Sequence, residues 1–131
     1  MEYSVAVRDA QNDALETTVG AAPTLRIFSG AKPANCAAAD AGTLLATGAL
    51  PSDWLTASSA GVKSRNGTWT LTGQSGAGAG TAGTYWRINQ GATCHMQGTF
   101  GVGQEMVPDN NSIANGQTVS ITTFAITRNN A

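Results

Sequence analysis

The one histidine, His95, and the eight carboxylates bound any acid–base chemistry this chain could perform. His95 could in principle complete a Ser–His–acid arrangement with Asp53 or Asp109. There is no GxSxG elbow to hold a nucleophile in a strained turn, and His95 alternates with inward neighbours on an expected strand. It is therefore read as a surface or interface histidine. Glycoside hydrolysis needs two carboxyl groups facing each other across a cleft. Glu2, Asp9, Asp13 and Glu16 fall on an N-terminal segment whose helical spacing makes a solvated face. Asp40, Asp53, Glu105 and Asp109 are far apart in sequence, so no pair follows. The run Asp109–Asn111 lacks the downstream glutamate of a calcium loop and reads as turn chemistry. No catalytic, cofactor-binding or metal-binding residue is assigned, and the expectation is a protein that is not an enzyme.

Cys36 and Cys94 leave three readings open. They are a disulfide, two buried thiols, or two zinc ligands joined by His95. Adjacent strand residues point to opposite faces, which counts against Cys94 and His95 sharing one metal. A disulfide would close a long loop and stabilise the fold by about 4 kcal/mol in the chain-entropy treatment. Against it, Met1-Glu2-Tyr3 does not begin a basic-then-apolar leader, so synthesis in a reducing compartment is expected. The glycine-rich stretch Gly73–Gly83 has neither a GK[ST] sequence nor a following helix, and reads as a surface loop rather than a phosphate cradle.

The elements that must position these residues are mostly strands. The strongest signal is Gly116–Arg128, where Val119 and Ile121 alternate with Thr118, Ser120 and Thr122. The apolar parity then slips to Phe124 and Ile126, which predicts a β-bulge at Thr122–Thr123. Further strands are expected at Thr24–Ser29, Thr43–Leu50, Gly67–Thr72, Thr84–Asn89, Thr93–Phe100 and Glu105–Asp109. Within Thr93–Phe100, Cys94, Met96 and Phe100 are expected on one face and His95, Gln97 and Thr99 on the other. Cys36–Asp40 is expected to form one helical turn, and Trp54 and Leu55 to plug back toward the core after a Pro51–Trp54 turn.

Residues 4–19 read as the one helix, with Ser4 as N-cap and Gly20 as stop. Its apolar stripe is thin: Tyr3, Val7, Ala10 and Ala14, widened by Ala6 and Leu15. Such a helix is marginal alone and must dock, on its own sheet or on a neighbouring subunit. Tyr85 and Trp86 are consecutive, so one of them is expected to face away from the core, as a contact site unless the loop after Gly73 folds over it. Tyr3, Val7, Trp54, Tyr85 and Trp86 are the candidate interface residues. The whole reads as a single domain, 1–131: a helical segment at 1–20, then an all-β, antiparallel β-sandwich or jelly-roll-like unit at 24–128.

Composition narrows the partners. Only 11% of the 131 residues are charged and the net charge is −1, against about 25% charged in an ordinary soluble domain. The seven basic residues are scattered singly, which leaves no electrostatic footprint for nucleic acid or an anionic membrane. No run of eighteen apolar residues is present, so no membrane span is expected. The 22 alanines, 17 threonines and 16 glycines make a small, neutral surface suited to packing against neighbours.

Four stretches, YSVAVRDAQNDALET, SGAKPANCAAADAGTLLATGALPSDWL, GTYWRINQGATCHMQGT and NNSIANGQTVSITTFAIT, together resemble a family of small structural proteins of tailed bacteriophages and prophages. The resemblance spans nearly the whole chain and implies a virion-associated protein made in the host bacterial cytoplasm. Within that setting it implies a capsid decoration, or cement, protein on the capsid exterior. Such a protein self-associates as a dimer or trimer and bridges neighbouring copies of the major capsid protein. A tail or baseplate component is the rival in the same particle. A carbohydrate-binding or adhesion domain using Trp86 or Trp54 as a stacking platform is the rival from another class.

Overall fold

The computed structural model describes residues 1–129; residues 130 and 131, the end of the expected domain, lie outside the described residues. One helix, α1 (Val5–Val19), precedes ten strands: β1 (Thr24–Phe28), β2 (Leu44–Ala49), β3 (Val62–Ser64), β4 (Thr70–Gly73), β5 (Thr81–Ala82), β6 (Tyr85–Gln90), β7 (Thr93–Thr99), β8 (Met106–Pro108), β9 (Ser112–Ile113) and β10 (Thr118–Thr127). Every pairing between these strands is antiparallel. The main sheet runs β3-β10-β4-β2-β1-β6-β7, with β8 also on β10, and β5 and β9 form a separate ribbon. The sheet curls into a half-barrel, an all-β, jelly-roll-like architecture with one short helix.

The curl has a dry inside. Alternate residues of β1 (Leu25, Ile27), β6 (Trp86, Ile88) and β10 (Val119, Ile121) are all buried there, with Trp54, Trp69, Leu71 and Phe124. Trp69 lies 6.0 Å from Trp54 and 5.3 Å from Phe124, and Trp86 meets Phe124 edge-on at 5.3 Å. These are the offset and edge contacts that aromatic rings favour. Trp86 also lies across from Gly98 in the β6–β7 register, where a Cβ would sit 2.7 Å from its ring. Glycine there makes room for the indole.

The closing strand bends as its sequence predicts. Ile121 pairs with Pro108 and Thr123 with Val107, leaving Thr122 as the extra residue. Thr122 and Thr123 are both exposed, and Phe124 returns to the core. A second bulge was not foreseen. Asn89 pairs with Cys94 while Ile88 pairs with Met96, so His95 is the extra residue in β7. This overturns the expectation that Cys94 and Met96 share a face. Cys94 is turned to the outer face of the sheet with Gln97, the face across which residues 29–43 pass.

Two other expectations need correcting. Cys36–Asp40 forms no turn of helix; a single hydrogen-bonded turn at Asn35–Ala38, Ala38 N–H to the Asn35 carbonyl at 3.2 Å, stands in its place. Gly73–Gly83 is not a bare loop. It carries a 3-10 turn at Ser75–Ala77, with Ala77 buried, and then β5.

Candidate functional site

Two features of the surface stand apart: the outward side of α1 and a polar cleft under the 29–43 segment. Both follow from which side chains face the sheet.

The helix is capped as expected. Ser4 Oγ accepts from the Val7 N–H at 3.3 Å, and the Gly20 N–H, at φ +92°, donates to the Glu16 carbonyl. A positive φ there is where glycine costs least. What the helix turns inward is the reverse of the expectation. Asp9 Oδ1 accepts from Ser58 Oγ at 2.7 Å and from the Gly61 N–H at 2.8 Å. Asn12, fully buried, donates to Ser58 Oγ and the Gly61 carbonyl. Lys63 Nζ, on β3, reaches Asp13 at 2.7 Å and Glu16 at 2.8 Å. Arg8 donates to the Arg128 carbonyl at 3.2 Å, and Leu15 and Val19 add apolar contact at the C-terminal end. Three of the four carboxylates expected on a solvated face, Asp9, Asp13 and Glu16, thus help dock the helix, while Glu2 stays exposed.

These bonds shift two titrations. The Ser58 hydroxyl and the Gly61 N–H hold the Asp9 carboxyl below the usual carboxylate value. Burial works to lower the Lys63 pKa, but its bonds to Asp13 and Glu16 outweigh that and raise it.

The expected apolar stripe, Leu15 excepted, consequently faces solvent. Tyr3 is 37% exposed and Val7 43%, and Ala6, Ala10 and Ala14 are exposed beside them. Helical geometry makes this one strip, since residues three and four apart are neighbours. Tyr3 and Val7 are therefore on the surface, as an interface requires. The other three candidates are not. Trp54 is buried, its Nε1–H donating to the Gly20 carbonyl at the end of α1. Trp86 lies on the inner face and Tyr85 on the outer, and both are buried. Neither ring of this pair is outward, because residues 29–43, rather than the loop after Gly73, cover the outer face at Tyr85. Its ring stacks on Phe28 at 4.9 Å, and its hydroxyl bonds to the Ala41 carbonyl and N–H.

The same segment roofs the cleft. Cys36 is joined to Cys94, which resolves the open readings of that pair in favour of the disulfide. Arg87, 2% exposed, donates to the Asn35 and Ala38 carbonyls, to Gln97 Oε1 and to Asp40 Oδ1. Arg26, directly across from Arg87 in the β1–β6 register, holds the other Asp40 oxygen at 2.6 Å. Asp40 thus bridges two facing guanidiniums that would otherwise repel. Beside this bridge is a cleft of about 600 Å³ lined by Thr24, Arg26, Thr47, Arg87, Asn89 and Ala92, among others. Sequence reading passed over these residues. The signal was the shared parity of Thr24 with Arg26 and of Arg87 with Asn89, polar positions alternating with Leu25 and Ile27 on β1 and with Trp86 and Ile88 on β6.

His95 is half-buried in a shallow groove beside α1, lined by Leu15, Val19 and Met96. Among the described residues no group of three or more His, Cys, Asp or Glu side chains could hold a metal ion, and no helix is long and apolar enough to cross a membrane.

No protein-family model, curated protein or solved structure matches the chain. The fold and the two surface features define a small, half-barrel, all-β domain with an outward helix. The functional reading rests on those features and on the resemblance of the sequence.

Proposed function

We propose that this chain is a non-enzymatic structural protein of a tailed-phage virion, a capsid decoration protein that docks through the outward strip of α1. The observation that carries the reading is the orientation of that helix. It spends its polar side chains on its own domain and leaves Tyr3, Val7, Ala10 and Ala14 at the surface. A helix docked for its own domain's stability alone would bury those residues instead. Small side chains on the strip allow a close approach by a flat partner surface. The partner is the major capsid protein, with self-association as a dimer or trimer at the joints between capsid subunits. The protein acts by adding buried area across those joints, resisting the outward pressure of packaged DNA, on the exterior of the head.

The test is mass spectrometry of purified virions separated into emptied heads and detached tails. High copy in heads is expected, and Val7→Asp with Ala10→Glu should remove it from heads while leaving the isolated domain folded. Recovery in the tail fraction alone would replace this reading with a tail or baseplate role. An adhesion role using Trp54 or Trp86 as a stacking platform has no exposed ring to work with.

A further inference from the structure

The seam of the half-barrel carries an inference that does not depend on the virion reading. At one end the seam is shut: Phe100, just after β7, bridges Met106, and Met106 pairs with Phe124 of β10. Beyond that point the two edges part. Among the described residues, β7 pairs only with β6, and Ala125–Thr127 of β10 pair only with β3. Between them lies a groove of about 280 Å³, with Met96 and Gln97 on one side and Phe124, Ala125, Ile126 and Thr127 on the other. Through Met96 it continues into the shallow groove of His95 beside α1.

The walls of this groove present backbone. In an antiparallel pair, alternate residues turn their N–H and C=O groups to opposite sides. The Phe124 carbonyl and the Arg128 N–H point to the β3 side, where they bond to Arg65 and Gly61. The backbone groups of Ala125 and Thr127 therefore point into the seam. On the other wall the Phe100 N–H points toward the β6 side, to the Thr84 carbonyl, so the backbone groups of Gln97 also point into the seam. Among the described residues, none of these three has a backbone partner there. The floor is apolar. Leu15, Met96 and Ile126, the partly buried hydrophobic residues packed against the core, all line this groove or its continuation. The core is least covered where the sheet is unpaired.

The two ends carry opposite charge. The Glu105 carboxylate lies at the shut end, over Gly98, and Arg128 lies at the open end with His95. Neither charged side chain has a hydrogen-bond or ion-pair partner among the described residues. From Phe124 to Arg128 is four extended steps, about 13 Å. Two rows of unpaired backbone groups flanking an apolar floor suit an added strand: the rows take its main chain, and the floor takes alternate side chains.

We propose that the seam takes an extended segment of a partner protein as an added strand between β7 and β10. The segment has apolar residues at alternate positions, a basic residue at the Glu105 end and an acidic residue at the Arg128 end. Successive antiparallel pairings make β7 and β10 run in opposite directions. The segment is therefore antiparallel to one of them in either orientation.

The test is amide-detected NMR titration of the intact protein with end-capped pentapeptides at millimolar concentration. The probe is Lys-Val-Thr-Val-Glu. One control, Lys-Ser-Thr-Ser-Glu, lacks the apolar pair, and another, Lys-Val-Pro-Val-Glu, lacks the central N–H. The probe is expected to shift the Gln97, Ala125 and Thr127 amides and to slow their exchange with solvent. Each control should bind about 10-fold more weakly or worse. Arg128→Glu, at an exposed position, makes both ends acidic and should make Lys-Val-Thr-Val-Lys the better ligand. The proposal is overturned if the probe leaves those three amides unmoved or shifts them without slowing their exchange. It is equally overturned if either control binds as well as the probe, or if folded Arg128→Glu keeps the parent's preference.

Discussion

Lys63 Nζ lies 2.7 Å from Asp13 Oδ1, and it does so from a side chain only 4% exposed against an aspartate 59% exposed. The pair is therefore lopsided: one member has given up its water and the other has not. Glu16, at 2.8 Å and 20% exposed, completes the compensation of the buried ammonium.

Removing the two sides of this cluster should have unequal effects. Lys63→Met leaves carboxylates that water can reach, and should cost about 1 kcal/mol. Asp13→Ala with Glu16→Ala leaves a buried ammonium without a counter-charge, and should cost about 2–3 kcal/mol. Urea melts of the two variants check the order, and equal costs would show that Lys63 is solvated in solution.

The docking of α1 should weaken at both ends of the pH scale. Asp9 has a depressed pKa, so its contribution is full above the ordinary value of 3.8 and is lost as pH falls through the lower folded value. Lys63 has a raised pKa, so its contribution is full below the ordinary 10.5 and is lost as pH rises through the higher folded value. Between these limits the two groups make docking insensitive to pH. The Gly61 amide, which donates to Asp9, should report the acid limb by its chemical shift, with a midpoint below 3.8.

Reduction of Cys36–Cys94 should destabilise the domain by about 4 kcal/mol, from the entropy of a loop with a sequence separation of 58. Denaturant melts with and without reductant measure it. Near-ultraviolet dichroism of Tyr85 should fall as well, since the segment that the disulfide holds also carries Ala41 over its hydroxyl.

Gly98→Ala should cost about 1–3 kcal/mol by overpacking, because its Cβ would meet the Trp86 indole at 2.7 Å. Trp86 meets Phe124 edge-on at 5.3 Å on its other side. Thermal unfolding of Gly98→Ala checks this, and a parent-like Tm would show that the indole has room to turn.

Local chemistry made part of this legible. Ser4 and Gly20 bound the helix because a cap and a positive-φ stop each need few residue types. The slip from Ile121 to Phe124 betrayed the bulge at Thr122 because a strand has only two faces. The strands after Pro23 and around Gly91 followed from alternation and turn residues. What was not legible depends on contacts distant in sequence. Nothing near Cys94 signals that His95 is the extra residue of a bulge, since the shift shows only against Ile88 and Asn89. The polar face of α1 looked solvated because its partners, Ser58, Gly61 and Lys63, lie about fifty residues away. Tyr85 and Trp86 were expected to split between core and surface, and alternation did place them on opposite faces. A strap with no regular structure of its own then covered the second face. The cleft polar groups were missed for the same reason, because a lone Arg or Asn on an outward parity reads as solvated.

The ten-residue β10 is the last strand among the described residues, and it pairs with β4, β8 and β3 in turn. That order of synthesis has a kinetic consequence. Until Thr118–Thr127 has left the ribosome, β4 lacks its outer neighbour, β3 and β8 have no strand to pair with, and the aromatic core is missing Phe124. Closing the half-barrel then requires joining segments as far apart as Val62 and Thr127, and such long loops slow folding. The nascent domain must wait, with its edges open, for β10 to seal it.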